Sequence, residues 1–156
     1  MAPFFTGVTF ACQERFFFRT RGPPRTMDAR TILVVDDDVV SLSALLEMLR
    51  DGGFRATGAA TLEAALRLQA VFLFDCLIVD LRLGRANALD LVARARCEQS
   101  TLPVIVLSGS LDVTAEMESR LLRADYLVRP VAPSVLLALV RRRLNRVRST
   151  SHLEPI

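Results

Sequence analysis

The stretch ILVVDDD (residues 32–38) decides the fold, because an apolar run of strand length leads straight into three carboxylates. A second run, LIVD (residues 77–80), ends in the same way on Asp80. Short apolar runs are typical of strands buried on both faces of a parallel sheet, and ligands bind at the carboxyl ends of such strands. Carboxylates that meet at one edge repel each other unless a cation neutralises them, and an all-oxygen set suits Mg²⁺. The two strand ends together predict a magnesium site, although any single Asp could instead start a loop or cap a helix.

Composition favours one globular domain. The chain has 156 residues, of which 51% are hydrophobic, which allows a sizeable core and excludes a largely disordered protein. Polar or charged residues interrupt every candidate membrane span, so we expect no membrane association of the domain. The three cysteines, Cys12, Cys76 and Cys97, are an odd number without metal-ligand spacing, which favours a reducing compartment and hence a cytoplasmic protein.

All 20 basic residues are arginine, and the net charge is +3. The arginines gather near both ends of the chain, including the run Arg141, Arg142 and Arg143. Such clusters can bind nucleic acid or an acidic membrane surface, but these ones have no interleaved aromatic residues. A solvated helix face is the interpretation we favour, and nucleic acid is disfavoured as a partner.

From residue 31 onward, apolar runs alternate with amphipathic segments, which is typical of a parallel sheet covered by helices on both faces. The first helix is expected to end at Gly52-Gly53, and Thr61 is expected to cap the second. Met117, Leu121 and Leu122 mark the fourth of five predicted helices. Five strands are predicted, at residues 31–35, 54–57, 76–79, 104–107 and 126–128.

The two ends of the chain break this rhythm. Residues 1–29 combine six phenylalanines with several arginines, but polar residues interrupt the apolar core that a signal peptide needs. We expect an N-terminal extension without a folding role, with the native polypeptide starting at Met27; an arm that binds a membrane surface or a partner is the alternative. The folded domain is expected at residues 30–146. A tail at 147–156 holds the only histidine, His152.

Two further strand ends carry polar groups: Ser108 follows the fourth apolar run, and Arg129 follows the fifth. A hydroxyl and a cation around a carboxylate and a divalent ion are what a phosphoryl group needs for charge neutralisation and hydrogen bonding. An ionised carboxylate can attack phosphorus and form an aspartyl phosphate.

Four motifs in order, VVDDD, LIVDLRLG, VIVLSGS and DYLVRP, resemble the receiver domain of two-component response regulators. The resemblance covers residues 30–146. It implies a flavodoxin-like α/β fold, a doubly wound five-stranded parallel sheet with strand order 2-1-3-4-5. It also implies a site at the carboxyl ends of strands one, three, four and five.

The resemblance assigns a role to each of these residues. Asp80 is expected to be the phosphoacceptor, and Ser108 and Tyr126 are expected to be the switch pair. Arg129 is expected to be the cation that contacts the phosphoryl group, and Asp38 is interpreted as the N-cap of the first helix. The magnesium ligands are expected to be Asp36, Asp37, Asp80 and the backbone carbonyl of Arg82.

Two departures from the family pattern stand next to these residues. The family has lysine before the proline of the fifth strand, where this chain has Arg129, which keeps the charge but is planar and forked. After Asp80 the family usually has a Pro-Gly pair and a later glycine, where this chain has Gly84-Arg85 and Ala88.

The resemblance implies a single-domain response regulator receiver that is not an enzyme. It would take a phosphoryl group from a histidine kinase or phosphotransfer protein in a phosphorelay. Output would pass to a downstream protein partner, and a homodimer through the fourth helix, fifth strand and fifth helix is an open alternative. A phosphorylation-independent receiver-like scaffold is the second interpretation, supported by Arg129. A phosphohydrolase of the haloacid-dehalogenase type is the third, because Asp36-Asp37-Asp38 also reads as DxD after a strand.

Overall fold

The computed structural model describes residues 29–150, and the side chains of residues 29–147. The expected N-terminal extension lies almost wholly outside the described residues, and so does His152. Seven strands and five helices follow one another along the described chain: β1 (Thr31–Val35), α1 (Val39–Asp51), β2 (Arg55–Ala59), α2 (Leu62–Val71), β3 (Cys76–Asp80), β4 (Arg82–Leu83), β5 (Ala86–Asn87), α3 (Ala88–Glu98), β6 (Val104–Ser108), α4 (Val113–Leu121), β7 (Asp125–Val128) and α5 (Pro133–Thr150).

Five parallel strands form the main sheet in the order β2-β1-β3-β6-β7. With the short antiparallel β4–β5 hairpin left out, this is the predicted order 2-1-3-4-5. The doubly wound, flavodoxin-like fold is therefore confirmed. α5 continues to Thr150, so the expected boundary at residue 146 falls inside this helix.

The core has two halves, one on each face of the sheet, because successive strand residues point to opposite faces. Leu33, Leu77 and Val106 pack on one face with residues of α2 and α3. Ile32 and Ile78 pack on the other face with residues of α1 and α5. The continuous apolar runs of the central strands are thus buried on both sides, as the sequence indicates.

The second strand was predicted at residues 54–57 and lies instead at Arg55–Ala59. The two additional residues at the end of the strand are Gly58 and Ala59. A Cβ at Gly58 would lie 2.9 Å from Cδ1 of Leu46 and 3.2 Å from Cδ1 of Leu42. The strand therefore continues through a glycine because α1 packs directly against its backbone.

The fourth helix exists, and of its three predicted apolar markers only Leu122 packs against the core, where it is partly buried. Met117 is 61% exposed and Leu121 is 82% exposed. Ala115 and Ser119 make the buried face instead, and the Ser119 hydroxyl donates to the carbonyl of Ala115. Helical spacing alone does not show which stripe of a helix is buried when both stripes are short.

In the described part of the chain, no helix combines the length and the apolar character that crossing a membrane requires.

Arg96 of α3 ties the ends of two helices together at the amino-terminal edge of the sheet. Its guanidinium donates to the carbonyls of Leu122 and Arg123, each at 2.8 Å, just after α4. The same group donates to the carbonyls of Ser100 and Leu102 in the loop before β6. One side chain thus satisfies four carbonyls that helices and loops leave without partners.

Replacing Arg96 with Met should lower the free energy of unfolding by about 1–3 kcal/mol, because partly buried carbonyls lose charged donors. Urea unfolding followed by circular dichroism measures the change. Arg94→Met on the exposed face of the same helix is the matched control, and it should change stability by less than about 0.5 kcal/mol. Equal losses in the two variants would contradict this role of Arg96.

Candidate functional site

Four strand ends place predicted site residues at one edge of the sheet. β1 ends directly before Asp36, and β3 ends on Asp80. β6 ends on Ser108, and Arg129 follows the last residue of β7. Because these strands are parallel neighbours, the four side chains all start from the carboxyl edge.

Arg129 joins the carboxylates of β1 and β3. Its Nη2 donates to Oδ2 of Asp36 at 2.8 Å, and its Nη1 lies 3.0 Å from Oδ2 of Asp80. Two nitrogens of one guanidinium thus hold two carboxylates that would otherwise repel each other. The structure brings these three predicted site residues together although Asp36 and Arg129 are 93 positions apart in the chain.

Asp36 is the most enclosed acid of the site, with a side chain only 1% exposed. Its Oδ1 accepts from the amide of Asp38 at 2.9 Å. Its Oδ2 accepts from the Ser41 hydroxyl at 2.6 Å and from Arg129. Ser41 was not among the predicted site residues; the signal in the sequence was a hydroxyl in the first turn of the helix that follows a strand-end acid.

The loop after β3 holds the two remaining acids through backbone amides. Oδ1 of Asp80 accepts from the amide of Arg82 at 2.7 Å. Oδ2 of Asp37 accepts from the amide of Gly84 at 2.9 Å. Gly84 has a φ of 59°, which favours glycine at the turn of the β4–β5 hairpin. This hairpin, which the sequence did not predict, therefore fixes the approach of Gly84 to Asp37.

Burial raises the pKa of the Asp80 carboxyl above its usual range, because loss of water disfavours the charged form. The amide of Arg82 and the charge of Arg129 lower this pKa, in that order of size, and the charges of Asp36 and Asp37 raise it further. The folded state thus disfavours the ionised form of Asp80, and the contacts with Arg82 and Arg129 offset this effect only in part.

Ser108 and Tyr126 hydrogen-bond within the loop between β6 and α4. The Ser108 hydroxyl donates to the carbonyl of Ser110 at 2.6 Å. The Tyr126 hydroxyl donates to the same carbonyl at 3.2 Å and accepts from the amide of Asp112 at 3.3 Å. The carboxylate of Asp112 in turn accepts from the amide of Ala115 and caps α4. The structure therefore joins the two predicted switch residues to each other and to α4.

The two contacts of the Arg129 guanidinium, with Asp36 and with Asp80, are called the fork of Arg129 below. Asp38 takes no part in it. Its carboxylate accepts from the amides of Val40 and Ser41 at 2.9 and 3.3 Å, which makes it the N-cap of α1. Thr61 caps α2 through the amide of Ala64 at 3.1 Å. The two predicted helix caps are both confirmed.

The donor set fits Mg²⁺ by its chemistry, because Asp36, Asp37 and Asp80 offer carboxylate oxygens only. Within residues 29–150, however, no three acidic, histidine or cysteine side chains are arranged so that they could hold a metal ion. The guanidinium of Arg129 bonds to Asp36 and Asp80, and Asp37 bonds to Gly84. The amide of Arg82, and not its carbonyl, makes the described contact with Asp80. The three carboxylates are therefore chemically suitable ligands for a cation, but each of them is already bonded to another group of the protein.

Residues 32–141 match the family described as the response regulator receiver domain. The chain belongs to this family. Receiver domains are signalling proteins of two-component systems and typically bind Mg²⁺ at the phosphorylation site. The haloacid-dehalogenase alternative belongs to a different family and is not supported by this match.

Curated relatives are similar over most of this chain but are longer than it. The regulatory protein VirG of Agrobacterium tumefaciens is 33% identical over 80% of this chain, which spans 45% of VirG. The alginate biosynthesis transcriptional regulatory protein AlgB of Pseudomonas aeruginosa is 30% identical over 80% of this chain, which spans 28% of AlgB. The chain thus spans less than half the length of either relative.

Solved structures show the same fold. A putative response regulator from Chloroflexus aurantiacus is 33% identical with a TM-score of 0.71, covering 76% of this chain and 100% of that one. A CheY-like receiver domain protein from Methanospirillum hungatei is 24% identical with a TM-score of 0.75, covering 79% of this chain and 99% of that one. The second likeness is one of fold alone.

Asp80→Asn should make the metal-free receiver domain more stable at about pH 7. The pKa of Asp80 is higher in the folded state, so the folded protein binds this proton more readily than the unfolded chain does. Proton binding therefore stabilises the fold at low pH. That contribution to the free energy of unfolding is lost as the pH rises through the folded pKa. Asparagine removes that loss. Thermal unfolding in EDTA should give the variant the higher Tm at about pH 7, with a difference that shrinks toward about pH 4. A lower Tm for the variant at neutral pH would contradict the cost assigned to Asp80.

Proposed function

We propose that this receiver domain accepts a phosphoryl group on Asp80 and signals by binding a protein partner. The observation that carries the proposal is the Asp36–Arg129–Asp80 arrangement at the carboxyl edge of a receiver fold. The phosphodonor would be the phosphohistidine of a kinase or phosphotransfer protein, as the family membership suggests; the chain's only histidine, His152, lies outside the described residues. Its action as a single-domain protein stays a prediction.

The chemistry follows from the contacts of Asp80. An ionised carboxylate oxygen attacks phosphorus, an O–P bond forms, the N–P bond of the donor breaks, and the histidine nitrogen keeps the electron pair. Oδ1 is held by the amide of Arg82, so the carboxylate is oriented before attack. Arg129 offsets charge on the transferred group.

Asp36, Asp37, Asp80 and the carbonyl of Arg82 are the proposed holders of Mg²⁺. The ion would supply positive charge against the phosphoryl oxygens. The all-oxygen donor set supports this assignment, and Ser41 supports it further by orienting Asp36.

Transmission would begin at Ser108. Phosphorylation replaces the single negative charge of the Asp80 carboxylate with about −2 on the phosphoryl group, and it adds strong acceptor oxygens that compete with the carbonyl of Ser110 for the Ser108 hydroxyl. Tyr126 shares that carbonyl, so its ring loses a fixed partner when the loop moves. Val113, Met117 and Leu121 are between 61% and 82% exposed on α4 next to this loop. This surface of α4 is the proposed docking site of the downstream partner. A homodimer through α4, β7 and α5 stays a prediction.

Incubation of the full chain with Mg²⁺ and acetyl phosphate should add the mass of one phosphoryl group, because Asp80 is oriented and charge-compensated for attack. Intact-mass spectrometry measures the gain. Asp80→Asn should show none, and Asp90→Asn, an exposed acid on α3, should behave as the wild type. A wild-type protein that gains no phosphoryl mass and binds no beryllofluoride would favour the phosphorylation-independent scaffold.

Tyr126 offers a direct optical readout, since the chain has one tyrosine and no tryptophan. Beryllofluoride with Mg²⁺ should change the tyrosine emission and reduce its quenching by acrylamide, because the ring is expected to turn inward. Asp80→Asn should remove the response, and Tyr126→Phe gives the background emission. Unchanged quenching in a protein that demonstrably binds beryllofluoride would reject Tyr126 as part of the switch.

A further inference from the structure

The fork of Arg129 uses the oxygens that a cation would need. Oδ2 of Asp36 accepts two hydrogen bonds, from the Ser41 hydroxyl at 2.6 Å and from Nη2 of Arg129 at 2.8 Å. A carboxylate oxygen has about two lone-pair sites, so this oxygen is saturated. The second nitrogen of the fork lies 3.0 Å from Oδ2 of Asp80.

Both carboxylates are poorly solvated, with side-chain exposures of 1% for Asp36 and 12% for Asp80. Water therefore contributes little to their neutralisation, and the guanidinium supplies it. Arg129 itself is 28% exposed, which leaves it room to withdraw toward solvent. The fork is thus a stable contact that can open without rebuilding the core.

We propose that Arg129 is an internal competitor of the divalent cation. In the metal-free protein its guanidinium neutralises Asp36 and Asp80 together, and a cation binds when the arm on Asp36 opens. The inference rests on the proposed function in one respect, namely that Asp36 and Asp80 are metal ligands. It accounts for the contacts of Asp36 and Asp80 with one guanidinium in the metal-free structure.

The shape of the side chain matters as well as its charge. A guanidinium presents two nitrogens in a rigid plane, and each one holds a different carboxylate. An ammonium has a single, strongly hydrated nitrogen that must reach both oxygens from one point. Lysine at position 129 would therefore compete less well at Asp36 while keeping the net charge of the site.

Competition also links two events. The same Arg129 is the proposed phosphoryl-contacting cation, and in the fork its two terminal nitrogens are engaged with carboxylates. A cation that displaces the arm on Asp36 frees one nitrogen at the edge of Asp80. Binding of the cation and release of one Arg129 nitrogen for contact with the phosphoryl group would then occur in the same step.

The test is a titration of the unphosphorylated full chain with Mn²⁺, with free Mn²⁺ followed by electron paramagnetic resonance and Mg²⁺ affinity obtained by competition. Arg129→Lys should bind the cation roughly tenfold more tightly than the wild type, the size expected for one charged hydrogen bond no longer in competition. Arg129→Met should gain at least as much. Asp36→Asn in the Arg129→Lys background should lose binding, which would locate the cation.

Arg85→Lys is the matched control, because Arg85 is exposed on the neighbouring hairpin turn and loses the same chemical group. It should bind as the wild type does. Unchanged affinity in Arg129→Lys overturns the proposal, and a gain confined to Arg129→Met shows that charge alone matters, which overturns it too. Equal gains in Arg85→Lys, or no cation binding in any variant, have the same result. No phosphodonor is present, so phosphorylation of Asp80 stands or falls separately in the mass experiment. Thermal unfolding confirms that each variant is folded.

Discussion

Repulsion between poorly solvated carboxylates at the carboxyl edge is the constraint on which the site depends. The central strands are buried on both faces, so they deliver Asp36 and Asp80 to places that water hardly reaches. Some cation must offset the two charges. Arg129, directly after β7, supplies this positive charge, so the ends of β1, β3 and β7 are linked by ion pairs at the site.

Arginine is used throughout this fold where a planar group with several donors is useful. Arg96 satisfies carbonyls from two separate segments, Arg143 pairs with Asp125 through two nitrogens, and Arg129 spans two carboxylates. A chain without lysine can therefore keep its charge contacts, and at Arg96 and Arg129 one side chain holds more than one partner. At the site, a cation that binds Asp36 and Asp80 must therefore displace a guanidinium that contacts both carboxylates.

The sequence predicted β1 and β3 well because continuous apolar runs bounded by acids leave little choice of structure. It misplaced β2, since the packing of Leu46 against Gly58 is invisible in a local pattern. It also read Met117 and Leu121 as core-like, where the structure exposes both. The convergence of Arg129 with the acids followed from strand ends, whereas the fork and the hydroxyl of Ser41 depend on side-chain directions that spacing does not encode.

Asp112 contacts Tyr126 with its amide and caps α4 with its carboxylate. In the proposed switch, ring position and the order of the first turn of α4 are therefore coupled equilibria, and coupling of this kind is reciprocal. A ligand that orders that turn must favour the present ring position, and one that requires the ring elsewhere must loosen the turn. Phosphorylation of Asp80 would then change the affinity of a ligand for the surface of α4, and binding of that ligand would change the phosphorylation equilibrium by the same coupling free energy.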